Sequence, residues 1–454
     1  MAFKSINPAT GQTVKIVEAW NEAQLEQALA EVAAAAPEWA ARSVEARADM
    51  LRRVAVVLRA RRDELARLIT LEMGKLIGEA RSEIEKCATG CEYYAAHGAE
   101  FIADEIIESD AGRSLVAYQP LGTVLAVMPW NYPFWQVFRF AAPALVAGNT
   151  CVLKHASNVP GCALAIEEVL LEAGLPAGVF RSLMIPAGRV GRVIEDKRIH
   201  AVTLTGSEPA GRAVAATAGA QIKKTVLELG GSDPFVILED ADLDLAVKYA
   251  VASRFINVGQ SCIAAKRFIP VAAIADEFVA HFKAAVEQLR HGDPLNEATS
   301  LAPMARVDLR DELHQQVIDS IIKGAVAVTG CRPIPGEGAY YEASILDKVV
   351  PGIRAYHEEF FGPVAIVIRA DDEADALRIA NDCPFGLAGS VWTRNSARGE
   401  RIARQIQAGA VFVNGMVKSD PRLPFGGIKR SGYGRELSHH GLREFVNTKT
   451  IWIR

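Results

Sequence analysis

In two stretches of the first seventy residues, the hydrophobic positions recur at helical spacing, three or four residues apart. A helix is predicted to begin at Asn21, because Gln24 follows three residues later, as in a capping box. Its apolar face consists of Leu25, Leu29, Val32 and Ala36. A second helix is predicted over 47–69, with methionine, valine and leucine along one side and arginines along the other. Nothing catalytic is needed to explain these arginines.

After residue 120 the pattern changes to short, continuous apolar runs separated by segments of helical spacing. Such runs indicate strands that are buried on both faces of a parallel sheet. The predicted strands are 123–129, 150–155, 180–185 and 201–206, and the predicted helices are 160–173 and 207–218. The sequence therefore predicts an α/β domain, whose ligands would bind at the carboxyl ends of the strands.

A second unit of the same class is predicted to start near residue 231, at the break GGSDP. Its predicted strands are 233–238, 266–270, 325–330 and 364–369, with a helix over 278–289. Two more strands, 114–119 and 448–454, have no neighbour nearby in the sequence. We expect them to pair with a sheet edge, either of this chain or of another subunit.

Composition and charge narrow the classes of function. With 454 residues, 50% hydrophobic and 23% charged, the chain is expected to form two or three globular domains. A net charge of −4 gives no electrostatic footprint for nucleic acid or for an anionic membrane. No apolar stretch is long enough to cross a bilayer, and the start MAFKSINPATGQ lacks the pattern of a signal peptide. We expect a cytoplasmic protein whose partners are small molecules or copies of itself.

The seven cysteines are scattered, odd in number and without a CxxC motif, which favours reduced thiols over a disulfide framework. Cys87 and Cys91 stand four apart in a helical segment, as two metal ligands could. We find no further ligand at the right spacing and interpret them as packed thiols. No metal site is predicted.

One cysteine, Cys262, lies in the stretch FINVGQSCIAAKRFIP (255–270), between a Gly-Gln-Ser turn and a run of small residues. A lone cysteine can be a small buried hydrophobe or a nucleophile. Polar residues at successive strand ends suggest a ligand site on one rim of the first sheet. These residues are Trp130 and Asn131, Lys154, Thr205 to Ser207, and Glu228.

The segment LTGSEPAG, around Gly206, could bind a phosphate. Glycine lets the backbone approach an anion, Ser207 could cap the next helix, and the helix start offers free N–H groups. An ordinary helix start has the same composition, and the segment is not a GxGxxG motif.

Each polar residue also has a purely structural interpretation. Glu228 could be a buried base with a raised pKa, or a carboxylate that reaches solvent. Asn131 could donate to an oxyanion, or form a turn. Taken together with Cys262, they supply what thioester chemistry requires: a nucleophile, an oxyanion donor and a base. No histidine is placed to pair with Cys262, which argues against a papain-like hydrolase.

These residues stand in motifs that resemble the aldehyde dehydrogenase superfamily, in the family's order and approximate spacing, from INPATGQ to the last strand. The motifs are PWNYP, LTGSEPAG, LELGGSDP, NVGQSC, EEFFGPV and PFGGIKRSGYGRE. Within the family, the chain most resembles the bacterial succinate-semialdehyde dehydrogenases. That likeness is carried by KHASNVP, GQSCIAAKRFI and NGMVKSDPRLPFGG.

The resemblance implies an aldehyde dehydrogenase-like fold of three units. A Rossmann-type NAD(P)-binding domain would comprise 1–101 and 121–230, and an α/β catalytic domain 231–435. A small β element for bridging and oligomerisation would comprise 102–120 and 436–454. The family's bridging element adds a strand to a neighbouring subunit, so a homodimer or a homotetramer is expected.

The resemblance also implies roles for single residues. Cys262 would attack the aldehyde, and Asn131 would hold the oxyanion together with the backbone N–H of Cys262. After hydride transfer, Glu228 would activate the water that hydrolyses the thioester. Lys154 would lie at the adenosine ribose and Glu359 at the nicotinamide ribose. The complete predicted cofactor set is Trp130, Lys154, Ser157, Gly206, Ser207, Leu229, Glu359 and Phe361.

Ser157 departs from the pattern of strict NAD users, which often carry a glutamate three positions after the lysine that corresponds to Lys154. A neutral hydroxyl removes the repulsion that a 2′-phosphate would meet there and supplies a hydrogen-bond donor. We therefore expect NADP to be accepted and preferred, with NAD as a second cofactor.

Arg139 matches an arginine that binds the distal carboxylate in succinate-semialdehyde enzymes, and Ser419 matches a serine of the same pocket. A charged residue among the apolar residues around Arg139 needs a partner if it is buried. Some relatives carry a second arginine shortly before the cysteine, where this chain has Ile256. The predicted substrate is therefore a short aldehyde with a terminal carboxylate.

Three alternatives remain at this stage. A broader aldehyde dehydrogenase would act on glutarate semialdehyde or medium-chain aldehydes. A thiol esterase would use Cys262, Asn131 and Glu228 without a cofactor. A binding protein that has lost catalysis is disfavoured because all three of these residues are present.

Overall fold

The structure, a computed structural model, describes residues 2–454, and its strands form five sheets. The strands are β1 (Ala2–Ile6), β2 (Thr13–Glu18), β3 (Glu105–Ile107), β4 (Arg113–Pro120), β5 (Thr123–Met128), β6 (Thr150–His155), β7 (Phe180–Ser182), β8 (Ile199–Thr205), β9 (Lys224–Glu228), β10 (Asp233–Ile237), β11 (Ala265–Pro270), β12 (Val326–Thr329), β13 (Ser344–Asp347), β14 (Val364–Val367), β15 (Phe385–Gly386), β16 (Ala388–Trp392), β17 (Ala410–Val413), β18 (Ile428–Lys429), β19 (Gly432–Tyr433) and β20 (Val446–Ile453).

Helices alternate with most of these strands. The α-helices are α1 (Glu22–Ala41), α2 (Val44–Ala60), α3 (Arg62–Met73), α4 (Ile77–Phe101), α5 (Trp135–Val146), α6 (Pro160–Glu172), α7 (Val190–Glu195), α8 (Glu208–Ala220), α9 (Leu243–Phe255), α10 (Ala275–Val286), α11 (Val307–Ile322), α12 (Arg354–His357), α13 (Glu373–Asn381), α14 (Ser396–Ala403) and α15 (Ser438–Arg443). Two short 3₁₀ segments cover Ala187–Arg189 and Ile256–Gly259.

The first large sheet has six strands in the order β19-β9-β8-β5-β6-β7, all parallel except β19. Its two faces bury alternate residues of the same strand. Leu125 of β5 packs in one core with Leu29 of α1, whereas Val124 and Ala126 pack in another core on the α5 side. This burial on both faces explains the continuous apolar runs, and the predicted α/β class is confirmed.

The second large sheet has seven strands in the order β12-β13-β14-β11-β10-β16-β17, and only the β12–β13 pair is antiparallel. It has a hydrophobic core of its own, in which Phe235, Phe268 and Trp392 are buried. The predicted strands over 233–238 and 364–369 are confirmed as β10 and β14. The residue boundaries proposed for the three units stay a prediction.

A third sheet, in the order β20-β4-β3, contains the two strands for which the sequence showed no neighbour. β20 pairs antiparallel with β4 over eight residues, from Val446 opposite Pro120 to Ile453 opposite Arg113. β3 pairs with the other edge of β4. In the structure the two strands therefore find each other within one chain, from opposite ends of its length.

The prediction of one helix over 47–69 is wrong, because the chain forms α2 and α3 with a break at Arg61. Leu58 and Leu65, on either side of the break, are both buried in the same core. The apolar spacing continues across the turn and conceals it. Arg47 is also an exception to the predicted exposed face, since it is buried and its Nε donates to the carbonyl of Val146 at 2.9 Å.

None of the described helices combines the length and the hydrophobicity that crossing a bilayer would require. The carboxyl ends of β5, β6, β8 and β9 lie side by side at one edge of the first sheet. The chain segment before β11 of the second sheet meets this edge, since the Asn131 side chain donates to the carbonyl of Gln260 at 3.0 Å. The candidate site forms there, between the two sheets.

Candidate active site

Cys262 lies where two cavities meet, and it lines both. One cavity, of about 370 Å³, is enclosed mainly by α4, α5 and the segment 416–425, and we call it the α4–α5 cavity. The other, of about 340 Å³, lies at the carboxyl ends of β5, β8 and β9, and we call it the strand-end cavity. Gln136 is the second residue that lines both. A molecule in either cavity can therefore reach the same sulfur.

The loop before Cys262 has an unusual backbone. Asn257 and Val258 have φ angles of 51° and 52°, in the left-handed region that β-branched residues such as valine rarely adopt. Gly259 follows with φ 76°, and a Cβ there would lie 2.2 Å from the carbonyl oxygen of Gly362. Arg254, which is fully buried, donates to the carbonyls of Gly259 at 2.8 Å and Gly362 at 2.7 Å. The loop is thus fixed to the segment that carries Glu359.

A second buried cation, Lys266, holds the loop from its other side. Its Nζ donates to the carbonyl of Ser261 at 2.8 Å and to that of Cys262 at 2.7 Å. The same Nζ lies 3.0 Å from Oε1 of Glu359. Glu359 Oε1 also accepts from the backbone N–H of Gly231 at 3.2 Å. Lys266 therefore couples the position of Cys262 to that of the carboxylate predicted to hold a ribose.

Cys262 is half-buried, and desolvation of its thiol in this enclosed position raises the pKa to about 11. The positive charges of Arg139 and Lys266 act in the opposite direction, since they favour the thiolate. The negative charge of Glu359 adds to the increase. In this structure the thiol therefore keeps its proton at neutral pH, and its reaction as a nucleophile needs the help of nearby positive charge.

Two N–H groups beside Cys262 are available to an oxyanion. The Asn131 side chain is buried and uses one hydrogen of its Nδ2 on the carbonyl of Gln260, which leaves the other free. Asn257 fixes the backbone of Asn131, because its Nδ2 donates to the Asn131 carbonyl at 2.8 Å. Among residues 2–454, the backbone N–H of Cys262 has no hydrogen-bond acceptor. The arrangement matches the requirement for preorganised donors.

Glu228 ends β9 and is 2% exposed, with neither carboxylate oxygen hydrogen-bonded to a described residue. Burial raises its pKa well above the usual value, the negative charge of Glu436 raises it further, and Arg139 acts to lower it. The increase predicted from the sequence is confirmed. A carboxyl group with a raised pKa on the wall of the strand-end cavity, which also contains Cys262, suits proton transfer near neutrality.

Arg139 is 2% exposed and lines the α4–α5 cavity, as a substrate-binding arginine would. Its guanidinium, however, already forms an ion pair with buried Glu436, and its Nη2 donates to Oγ1 of Thr205 at 3.3 Å. The guanidinium also lies 4.6 Å from the ring centre of Phe425. Glu436 is thus the partner that a buried arginine requires, and the role of Arg139 toward the substrate stays a prediction.

Six of the predicted cofactor residues line the strand-end cavity. They are Trp130, Gly206, Ser207, Leu229, Glu359 and Phe361. The rings of Trp130 and Phe361 meet edge to face, with centroids 5.9 Å apart. Ser207 is the N-cap residue of α8, but its side chain makes no capping hydrogen bond, so the predicted cap is wrong. The backbone N–H groups of Glu208 and Ala210 therefore stay free, on either side of Pro209, which has none; free N–H groups at a helix start suit a phosphate.

Lys154 and Ser157 lie outside that cavity, at the end of the neighbouring strand β6 and just after it. Burial lowers the pKa of Lys154, whereas Ser157 is exposed. β5 and β6 pair in parallel, and Val127 of β5 lies opposite Lys154 of β6. Lys154 and Ser157 therefore stand on the same rim of the sheet as Trp130. The assignment of the adenosine ribose to Lys154 stays a prediction.

Ser419 lines the α4–α5 cavity and accepts two hydrogen bonds. Lys86 Nζ donates to its Oγ at 2.6 Å, and Trp135 Nε1 donates at 3.1 Å. Sequence reasoning missed Lys86, because one lysine in the amphipathic helix α4 looks like a surface residue. It also missed Glu436, although the acid stands in the quoted motif PFGGIKRSGYGRE.

Cys87 and Cys91 are both fully buried in α4, as packed thiols would be. Within residues 2–454, no three histidine, cysteine or acidic side chains lie close enough together to hold a metal ion.

Comparison with known proteins identifies the family and the similar relatives. The aldehyde dehydrogenase family description matches residues 1–451. The probable succinate-semialdehyde dehydrogenase (NADP+) of Synechocystis sp. is 51% identical over 453 residues, which cover 100% of both chains. The succinate semialdehyde dehydrogenase (NAD(P)+) Sad of Escherichia coli is 48% identical over 448 residues, 99% of this chain and 97% of that one.

Solved structures show the same similarity. The crystal structure of succinic semialdehyde dehydrogenase from Streptococcus pyogenes, in complex with NADP+, matches with a TM-score of 0.98 and 38% identity. The match covers 100% of both chains. A succinate-semialdehyde dehydrogenase structure from Burkholderia pseudomallei matches with a TM-score of 0.96 and 33% identity, covering 99% of this chain and 94% of that one.

Proposed function

The chain belongs to the aldehyde dehydrogenase family, and we propose that it oxidises succinate semialdehyde to succinate, with NADP+ as the preferred cofactor and NAD+ as a second. The family match over residues 1–451 confirms the resemblance seen in the motifs. Relatives that share about half of their residues with this chain carry the succinate-semialdehyde name, which supports the substrate. The observation that carries the proposal is the position of Cys262, where one cavity suited to an aldehyde meets another suited to a dinucleotide.

The polar groups that line the strand-end cavity suit a dinucleotide cofactor. It offers the free N–H groups at the start of α8 to a phosphate, and the carboxylate of Glu359 to ribose hydroxyls. Trp130 and Phe361 supply apolar walls. When bound, NADP+ supplies a hydride acceptor, so that an aldehyde adduct of Cys262 becomes a thioester. Lys266 would keep Glu359 and Cys262 in register during this exchange.

The residues of the site act in a simple order. The Cys262 sulfur adds to the aldehyde carbon, and Arg139 and Lys266 favour the thiolate form that reacts. The carbonyl oxygen gains negative charge and accepts hydrogen bonds from Asn131 Nδ2 and the Cys262 backbone N–H. After oxidation, Glu228 takes a proton from the water that attacks the thioester carbon. The C–S bond then breaks, which releases the acid and regenerates Cys262.

The distal carboxylate of the substrate would lie in the α4–α5 cavity, where Arg139 and Ser419 present donors. The decisive experiment compares kcat/KM for succinate semialdehyde with that for butanal, which has the same number of carbons but no carboxylate. Charged hydrogen bonds contribute about 1.5–3 kcal/mol, so we expect succinate semialdehyde to be favoured at least about tenfold. Equal values for both aldehydes would support the broader aldehyde dehydrogenase instead.

Cofactor choice is tested by Ser157→Glu. A carboxylate at this exposed position would repel a 2′-phosphate and accept hydrogen bonds from a ribose, so the preference for NADP+ over NAD+ should fall by roughly 10- to 100-fold. Ser157→Gln is the matched control for side-chain size and should change the ratio much less. Steady-state kcat/KM for the two cofactors gives the answer. A wild type that strongly prefers NAD+, or a ratio equally changed by Gln and Glu, would contradict this role.

For the assembly, we infer a homodimer or a homotetramer built through the third sheet. β3 and β20 form its two edges, and both expose large apolar side chains, with Ile106 65% and Trp452 49% exposed. Sedimentation velocity decides the point, because a monomer at micromolar concentration would exclude it. All seven cysteines are free thiols, which supports the reducing cytoplasm as the compartment.

A further inference from the structure

Three cations line the α4–α5 cavity: Lys86, Arg139 and the exposed Lys418. Lys86 and Arg139 differ in how their charge is balanced. Arg139 forms an ion pair with Glu436, so the two charges offset each other. Lys86 has no such partner, since among residues 2–454 no carboxylate oxygen lies within ion-pair distance of its Nζ. Its hydrogen-bond acceptor is the neutral hydroxyl of Ser419. A largely enclosed ammonium group with a neutral partner lacks a counter-ion.

The carboxylates nearest to Lys86 are occupied elsewhere. Glu83, one turn earlier in α4, pairs with buried Lys75. Its Oε1 also accepts the backbone N–H of Phe134 at 2.9 Å and of Trp135 at 3.0 Å, so it fixes the start of α5. Asp420, on the other side, pairs with Arg422 at 2.6 Å. Neither acid is free to neutralise Lys86.

The apolar part of the Lys86 surroundings holds its head in place. The Nζ lies 4.4 Å from the ring centre of Trp135, in cation–π contact. Trp135 Nε1 donates to the same Ser419 oxygen that accepts from Lys86. The ammonium group is thereby directed at the cavity that Cys262 also lines. A carboxylate entering this end of the cavity would find an oriented cation and a hydroxyl together.

We propose that Lys86 is a substrate-binding residue that supplies, with the hydroxyl of Ser419, the positive charge for the distal carboxylate of the aldehyde. Arg139 then contributes hydrogen-bond donors rather than net charge, because Glu436 has balanced it. The inference rests on the proposed function, since it assumes a substrate with a terminal carboxylate. It assigns selectivity to a residue of α4, far in sequence from the motifs around Cys262.

The titration of Lys86 gives this role a pH signature. Burial lowers its pKa to about 8, and the charge of Arg139 from α5 acts in the same direction. Glu83 and Cys87 on its own helix and Asp420 on the facing segment act to raise it. Lys418 also lines the cavity but is exposed. Below about pH 8 the free enzyme presents a cation, and above it a neutral amine, so selectivity for the carboxylate substrate should fall as pH rises through this value.

The test uses Lys86→Met, which keeps an unbranched side chain one atom shorter and removes the charge. The ratio of kcat/KM for succinate semialdehyde to that for butanal, with saturating NADP+, should fall by about 10- to 100-fold. The wild-type ratio should decline above about pH 8, and this decline should disappear in the variant. Titrations of Cys262 and Glu228 affect both aldehydes and cancel in the ratio.

Two further variants complete the design. Lys86→Arg keeps a charge at all accessible pH values, so it should retain most of the selectivity without the decline above pH 8. Lys418→Met removes a lysine charge from the rim of the same cavity and should change the ratio less than about threefold, because an exposed charge is screened. Circular dichroism shows whether each variant folds. The wild-type pH profile and Lys86→Arg still decide the matter if the methionine variant does not.

The failure of this inference differs from the failure of the proposed function. If wild type shows no preference for succinate semialdehyde, the proposed function is wrong. If wild type shows the preference but Lys86→Met keeps it, or loses activity equally on both aldehydes, Lys86 has only a structural role. A pH-independent wild-type ratio would likewise overturn the assignment.

Discussion

Replacement of Cys262 by alanine is expected to abolish NADPH formation from every aldehyde, with a loss in kcat of at least about 10⁴-fold, as for other enzymes that lose their nucleophile. The reason is geometric: the sulfur is the reactive group that both cavities share. Absorbance at 340 nm follows the reaction. No other cysteine lines either cavity, so none can replace it.

Cys383→Ala is the matched control, because this cysteine is buried and lies away from both cavities. It should retain wild-type turnover within about threefold, the usual range for a small change outside a site. If Cys262→Ala retained more than about 1% of wild-type activity, far above the loss expected for a nucleophile, the covalent route through Cys262 would be wrong.

Replacement of Glu228 by glutamine should separate the two halves of the reaction. The amide has nearly the same shape but cannot take a proton, so steady-state turnover should fall by about 10²- to 10⁴-fold. Oxidation of the aldehyde precedes the attack of water, and a first turnover should therefore still form NADPH. Stopped-flow absorbance at 340 nm should show a burst close to one NADPH per subunit, followed by a very slow phase.

The control for Glu228 is Glu312→Gln, which changes an exposed carboxylate on the wall of the same cavity. It should leave turnover nearly unchanged and show no burst of this kind. Loss of the burst in Glu228→Gln would mean that Glu228 is needed before or during hydride transfer. Full steady-state activity would mean that another group activates the water.

The parts of the fold that the sequence predicts are those encoded locally. β6 is predicted over 150–155 and has those bounds: the apolar residues Cys151, Val152 and Leu153 mark its centre, and all six of its residues are buried. The cap at Asn21 is present with both of its hydrogen bonds to Gln24, since it depends on residues three apart. The break at Arg61 was missed, because the apolar spacing continues through it.

The candidate site also has a part that the sequence predicts locally and a part that only the fold brings together. Polar residues at strand ends mark the rim, because parallel strands bring their carboxyl ends together. The partners of those residues come from elements distant in sequence. Lys86 and Ser419 are separated by 333 positions, and no local pattern connects them. The same holds for Glu436, whose ion pair with Arg139 forms only when the end of the chain folds back beside α5.

Arg139 shows why this matters for interpretation. In the sequence it is the one charged residue in an apolar helix, and a substrate carboxylate is the obvious partner. In the structure its removal would also leave Glu436 buried beside Glu228 without its cation, and the pKa of Glu228 would change. An Arg139 variant would therefore alter both binding and hydrolysis, whereas Lys86 lies away from the base.

The central claim is that this chain selects an aldehyde with a terminal carboxylate and oxidises it with NADP+. A competition assay tests it most directly: equal concentrations of succinate semialdehyde and butanal, limiting NADP+, and quantification of both acids together with NADPH. We expect succinate to exceed butanoate at least about tenfold, with one NADPH for each acid formed. Equal amounts of the two acids, or acid formed without NADPH, would contradict the account.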